Sequence, residues 1–227
     1  MKFITVSGPP SSGKTSVIIQ TLAFLKQRYK VGVVKFDCLS TNDHELYEQN
    51  DIKVKVGLSG NLCPDHFYVS NIDECTAWGE KQDFDFLLTE SAGLCNRCAP
   101  HIREFLAVCV IDNLSGINTP AKIGPMLRFA DIVVITKGDI VSQAEREVFS
   151  YKVKQVNPRA RISFVNGVTG QGAFDLSMFF QQAEDLKDGL YGERLRFSMP
   201  AALCSYCLGE TRIGEEYQKG NVKKMNF

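Results

Sequence analysis

The chain has 227 residues, 44% apolar and 23% charged, an ordinary globular composition rather than a disordered one, and is long enough for one α/β domain with a modest extension. Its 26 basic and 26 acidic residues cancel, so no net field draws it to nucleic acid or to an anionic membrane. No apolar run approaches the ~20 residues that cross a bilayer, and the N-terminus lacks a secretory leader's apolar stretch, so a cytoplasmic location is expected.

In chain order, the first predicted strand is Phe3–Ser7. It runs into Gly8-Pro9-Pro10-Ser11-Ser12-Gly13-Lys14-Thr15, which fits G-x-x-x-x-G-K-[ST] at every constrained position, and then into a predicted helix over Lys14–Tyr29. A loop at that junction turns its amides toward phosphates, and the helix dipole assists. Lys14 is expected on the β- and γ-phosphates, the Thr15 hydroxyl on magnesium, and Ser16 at the edge of the same site. The next strand, Val31–Phe36, ends at Asp37, one candidate carboxylate for the metal. The strand Phe84–Glu90 ends at Glu90, a second candidate to hold magnesium or orient water. Gly93 follows, placed to offer its N–H to a γ-phosphate.

A strand Leu106–Asp112 and a helix Pro120–Phe129 come next, then a strand Ile132–Thr136 that enters Thr136-Lys137-Gly138-Asp139. Guanine is usually read by Asn-Lys-x-Asp, whose carboxylate accepts from two guanine nitrogens. Here Thr136 replaces the asparagine, Lys137 can lie along the base, and Asp139 can read it. GTP is therefore favoured over ATP. A helix Ser142–Asn157, a strand Ile162–Val165, the loop Asn166–Gly172 and a helix Ala173–Asp188 complete the rhythm, with Asn166 expected to back the base. Near-continuous apolar strands alternating with helices predict a doubly wound, mostly parallel α/β sheet with ligands at the strand ends. Residues 1–188 form this domain, and the glycine-punctuated, polar residues 189–227 read as a cysteine-containing C-terminal extension.

These motifs together resemble the SIMIBI class of P-loop GTPases, and within it the nickel-insertion GTPases of hydrogenase and urease maturation. The resemblance covers about residues 3–182, carried by the P-loop, Lys35-Phe36-Asp37 with Thr41-Asn42-Asp43, Glu90-Ser91-Ala92-Gly93, Thr136–Asp139 and Thr169-Gly170-Gln171-Gly172. It implies a nucleotide-dependent homodimer that delivers metal to a client metalloenzyme, with Asp37 or Glu90 on magnesium and Lys14 in catalysis. Leu58–His66 aligns with the Cys-His metal segment of the hydrogenase type, but Pro64 replaces its histidine, which leaves Cys63 and His66 as candidate ligands. Pro9 stands where ParA-like and nitrogenase-reductase-like ATPases carry an additional lysine.

Eight cysteines in a reducing compartment point to metal or redox chemistry rather than disulfides. Cys95/Cys98 and Cys204/Cys207 each have C-x-x-C spacing, suited to zinc, nickel or corners of an iron–sulfur cluster. The pairs share one site within a chain, form separate sites, or combine across a twofold; a redox pair is the chemical rival. Cys95 lies two residues past Gly93, so nucleotide state is expected to move its ligands. Cys38, Cys75 and Cys109 read as core residues, and His44 and His101 as surface or switch residues. Two further functions fit the same residues: a reductive activator with a Cys-ligated cluster, and a switch that binds only nucleotide and a protein partner.

Overall fold

The computed structural model describes residues 1–227. Seven parallel strands form the central sheet: β1 (Lys2–Ser7), β2 (Val31–Asp37), β3 (Lys53–Leu58), β4 (Phe86–Glu90), β6 (Leu106–Asp112), β7 (Ile132–Thr136) and β8 (Arg161–Phe164). Their spatial order is β3-β2-β4-β1-β6-β7-β8. β1 therefore sits at the centre, between β4 and β6, and the loop after it opens where the strand order reverses, the place where such sheets bind ligands. β1, β4, β6 and β7 are buried almost throughout, as their unbroken apolar runs predict.

The helices α1 (Lys14–Leu25) and α8 (Ala173–Gln181) cover one face through Val17, Ile18, Leu22, Leu25, Leu176 and Phe180. α2 (Asp43–Gln49) adds the fully buried Tyr47 to that core. On the opposite face lie α3 (Pro64–Val69) and α4 (Ile72–Lys81), with Phe67, Tyr68, Ile72, Cys75 and Trp78 inward. α5 (Thr119–Ile123), α6 (Pro125–Arg128) and α7 (Gln143–Val156) enclose a third cluster against β6 and β7. α7 begins with a full capping box, Ser142 with Glu145.

Several expected elements change at their ends. The helix expected over Pro120–Phe129 is broken at Gly124 (φ 67°), because a residue before proline is excluded from the α region and this glycine turns left-handed instead. A Cβ on Gly124 would stand 2.6 Å from the Asn96 carbonyl, so the break also admits the Cys95–Cys98 loop. The last helix stops at Gln181 rather than Asp188, since the following residues run beside β1: Leu186 donates to the Met1 carbonyl at 2.8 Å.

The C-terminal extension is not a polar tail. Leu190, Leu195 and Ile213 are buried in the α3–α4 core, and β9 (Leu195–Phe197) pairs antiparallel with β5 (Ala99–Ile102). Arg196 fixes this pairing with all three guanidinium nitrogens: Nε donates to the Ile102 carbonyl, Nη1 and Nη2 to Phe129 and Phe105, and both reach Asp131 at 2.8 and 2.7 Å. The consequence for the site is direct, because β5 and β9 carry the two C-x-x-C segments to one place. No helix is long and apolar enough to cross a membrane.

Candidate functional site

Gly8 (φ 143°) and Gly13 (φ 89°) give the loop after β1 its turn, and α1 starts at Lys14. A Cβ on Gly8 would stand 2.0 Å from the Val110 carbonyl, so no side chain fits between the loop and β6. Lys14 folds back over the loop, with Nζ 3.0 Å from the Gly8 carbonyl and 2.8 Å from that of Pro9. Burial lowers its pKa, and the nearby Glu90 partly offsets this. The Ser12 hydroxyl is buried without a partner. A cradle lined by a left-handed glycine, an inward ammonium and an orphaned hydroxyl fits a phosphate chain.

Gly93 closes the same cradle. It has φ 72°, and a Cβ there would lie 1.8 Å from the Gly8 carbonyl and 3.4 Å from Lys14 Nζ. The segment that leads to Cys95 thus rests on the phosphate loop itself.

Beside the cradle, the Thr15 hydroxyl donates to Glu90 Oε1 at 2.9 Å and to Asp43 Oδ2 at 3.1 Å. Glu90 is fully buried at the end of β4, and its Oε2 accepts from Tyr47 at 2.6 Å. Lys35 Nζ contacts Asp43 at 2.6 Å and Glu90 at 2.7 Å. Burial alone would lower the Lys35 pKa, but Glu90 and Asp43 outweigh it and raise the pKa, so the amine stays charged. Burial likewise acts to raise Asp43, and Lys35 outweighs it and holds the carboxyl below its ordinary range. Asp37 lies further out: one oxygen accepts from the Cys38 amide, the other is 3.8 Å from Lys35. Oxygen donors converging on Thr15 fit a magnesium ion, with Asp43 and Glu90 as the nearest carboxylates. Asp43, Lys35 and Tyr47 are not site residues by sequence alone: the first two stand there only within the motifs Thr41-Asn42-Asp43 and Lys35-Phe36-Asp37, and Tyr47 carries no signal.

On the other flank, the Thr136 hydroxyl donates to the Ser12 carbonyl at 2.7 Å, which ties the end of β7 to the phosphate loop. Lys137 (φ 56°) extends across the loop, 2.8 Å from the Ser11 carbonyl and 3.5 Å from Asp112. Asp139 is exposed and lines an open cleft with Gly138, Arg146, Asn166 and Gln171. Asn166 spends its side-chain oxygen on the Val168 and Thr169 amides, at 2.9 and 3.0 Å, which shapes the loop. Lys137 thus touches the phosphate loop, and Asp139 and Asn166 line one cleft.

The cysteines gather as well. The carboxylate of Asp65 and the sulfurs of Cys95 and Cys98 lie within 4.8 Å of one another. Cys63, Cys98, Cys204 and Cys207 line one cavity with Asp65 and His66, and Cys95 joins Cys63, Cys98 and Cys204 in the adjoining cleft. Both C-x-x-C pairs and Cys63 therefore meet within a single chain. Burial pushes the Cys63 thiol up to about 11 and the Asp65 carboxyl up to about 7. Burial and the neighbouring Asp65 and thiols raise Cys98 further. The Cys63 and Cys98 thiols therefore keep their protons until a cation replaces them. Asp65 Oδ2 and His66 Nδ1 are buried without partners. His66 Nε2 lies 3.1 Å from the Asn221 carbonyl, which only accepts, so the proton sits on Nε2 and Nδ1 keeps its lone pair. Asp65 was not picked out from sequence, because its approach to Cys95 depends on how α3 packs against β5. Of the single cysteines, Cys75 and Cys109 are core residues, while Cys38 is half-buried with its thiol on the Gly60 carbonyl.

His101 is neither a surface nor a switch-loop residue: it is fully buried on β5, three residues past Cys98. Nδ1 lies 3.0 Å from the Thr5 hydroxyl, and Nε2 lies 3.0 Å from the Met126 carbonyl and 3.2 Å from the Ser7 hydroxyl. It joins the cysteine loop to the strand that feeds the phosphate loop. Burial lowers its pKa from 6.5 to about 4, so the folded state holds it neutral while the unfolded chain takes up a proton below 6.5. Its contribution is present above pH 6.5 and fades as pH falls toward 4, a loss of about 3 kcal/mol. His101→Gln is expected to lower stability at pH 7 yet flatten this acid dependence, measured as urea midpoints at pH 7 and pH 4.5. An unchanged slope would place the acid sensitivity elsewhere.

A glycine-bounded loop between a buried strand and a helix, a buried acidic strand end beside its threonine, and a parallel sheet with β1 at the centre define a P-loop nucleotide-binding protein. Residues 2–164 match the CobW/HypB/UreG nucleotide-binding domain, and the chain belongs to that family. It is 49% identical over 227 residues to "Uncharacterized protein MJ0120" of Methanocaldococcus jannaschii, covering all of this chain and 97% of the relative. The fold is that of the hydrogenase maturation factor HypB from Archaeoglobus fulgidus, at 24% identity and TM-score 0.63, over 80% of this chain and 89% of that one. HypB from Helicobacter pylori, solved in complex with nickel, also has TM-score 0.63, at 20% identity over 80% and 86% of the two chains.

Proposed function

We propose that this protein is a GTPase that couples nucleotide state to the holding and release of a metal for a client metalloenzyme. One observation carries the proposal: Gly93 rests on Gly8 and Lys14, and Cys95, two residues on, lies in the Asp65–Cys95–Cys98 group. A γ-phosphate in the cradle and a metal on the thiolates would press on the same short segment. The family supports the nucleotide part, and the structural likeness to a HypB solved in complex with nickel supports the metal part.

In this proposal Lys14 and the backbone N–H groups of residues 11–16, with Gly8, Pro9 and Pro10 shaping the turn, hold the phosphates, while Lys137, Asp139 and Asn166 face guanine. Magnesium bound by Thr15, Asp43 and Glu90 would neutralise charge developing on the transferred phosphoryl group. Glu90 and Asp43 orient the ligand field, Lys35 balances their charge, and Asp37 is an outer carboxylate of the same group. The cargo is a thiophilic divalent cation such as zinc or nickel, held by Asp65, Cys95 and Cys98, with Cys63, Cys204, Cys207 and His66 in reserve. Residues 1–188 are the GTPase unit and residues 189–227 the appendage that completes the metal pocket. The protein works as a cytoplasmic homodimer, and because one chain gathers five thiols, each protomer carries its own metal site.

Anaerobic purification followed by metal and sulfide analysis tests this proposal. Protein that retains zinc or nickel near one per chain, without acid-labile sulfide, is expected. Brown protein with acid-labile sulfide and a reducible EPR signal would replace it with the electron-donor reading. Protein that retains no metal and binds none added would leave a nucleotide switch.

A further inference from the structure

The carboxylates around Thr15 already hold a cation. Lys35 lies on β2 directly opposite Glu90 on β4 in the strand register, and its side chain is 4% exposed. Its ammonium touches Asp43 Oδ2 at 2.6 Å and Glu90 Oε1 at 2.7 Å, with Asp37 at 3.8 Å. Those first two oxygens are the same two that accept from the Thr15 hydroxyl. Two of the three side chains that would hold a divalent ion, Asp43 and Glu90, are thus already engaged by an ammonium tethered to the sheet.

We propose that Lys35 is a built-in counter-ion that keeps magnesium out of the site until a nucleotide brings its phosphates. The inference rests on the proposal that Thr15, Asp43 and Glu90 hold magnesium. Glu90 is fully buried, and an unpaired charge there would be costly, so the site needs a positive partner in the nucleotide-free protein. Lys35 supplies it and preserves the geometry of the carboxylates. A free divalent ion entering the same oxygens meets a positive charge a few ångströms away, in surroundings that screen poorly. A nucleotide changes the balance, because its phosphates add negative charge and further oxygen ligands. Lys35 therefore acts as a positioning residue that makes metal uptake conditional on nucleotide. Without it Asp43 and Glu90, with the Thr15 hydroxyl, would bind a divalent ion without nucleotide.

Manganese is the probe, since its free form is counted directly by EPR. The full-length parent, Lys35→Gln and Lys35→Arg are titrated with Mn²⁺, with and without GDP. The parent and Lys35→Arg are expected to take up Mn²⁺ only with GDP. Lys35→Gln is expected to bind it without nucleotide, with affinity raised about tenfold or more over the parent. Added magnesium should raise the melting temperature of Lys35→Gln alone. A Lys35→Gln protein that binds no more Mn²⁺ than the parent without nucleotide would overturn the inference while leaving the magnesium site intact. Absence of Mn²⁺ binding even with GDP would remove the magnesium site and the inference together. If Lys35→Gln does not fold, the parent still decides: stoichiometric Mn²⁺ without nucleotide would show that Lys35 bars nothing.

Discussion

Replacement of Lys14 by alanine is expected to abolish GTP binding while the protein stays folded. Lys14 is 5% exposed, and its ammonium contacts two loop carbonyls, at 3.0 and 2.8 Å. Phosphate oxygens are stronger partners for it than neutral carbonyls, because both ends of the bond are then charged. Two such bonds, at roughly 1.5–3 kcal/mol each, imply a loss of at least a hundredfold in affinity. Burial already disfavours the charge on Lys14, so its removal should leave the melting temperature unchanged or slightly raised. Calorimetric titration with GTP and magnesium reads the effect. Parent-like affinity would mean that the phosphates bind elsewhere.

The second large effect falls on the cysteines. The double replacement Cys95→Ser with Cys98→Ser removes two of the three ligand atoms that lie within 4.8 Å of one another, and hydroxyls are poor ligands for a thiophilic ion. Stoichiometric zinc or nickel binding should be lost, measured by competition with a chromophoric chelator. Nucleotide affinity should persist, because neither sulfur belongs to the phosphate cradle. Cys109→Ser is the control, since that thiol is buried on β6 away from the cysteine pocket. Undiminished metal binding by the double variant would exclude Cys95 and Cys98 as ligands.

The parts of this molecule that are local in sequence were the legible ones. Gly8–Thr15 declares itself because the turn, the strand before it and the helix after it are consecutive, and six of the seven strands of the central sheet stood out as apolar runs. The seventh, β3, alternates Lys53-Val54-Lys55-Val56 at the sheet edge, where lysines blunt an exposed strand, and so short an alternation does not stand out as an apolar run. Contacts made by topology were harder to see. Asp43 meets Thr15, and Lys35 meets Glu90, only because β2 lies next to β4 and β4 next to β1. Asp65 approaches Cys95 and Cys98 because α3 packs against β5. The glycines of residues 189–227 hid Leu190, Leu195 and Ile213, three widely spaced apolar residues with no helical or strand period, which nonetheless bring Cys204 and Cys207 to the other thiols.

The central claim is that phosphates at Gly8–Lys14 and a metal at Asp65–Cys95–Cys98 communicate through Gly93. It is tested most directly by the zinc affinity of the full-length protein with GDP–magnesium and with a non-hydrolysable GTP analogue and magnesium. The two affinities are predicted to differ by about tenfold or more, a coupling of about 1.4 kcal/mol. Equal affinities in the two nucleotide states would contradict the account.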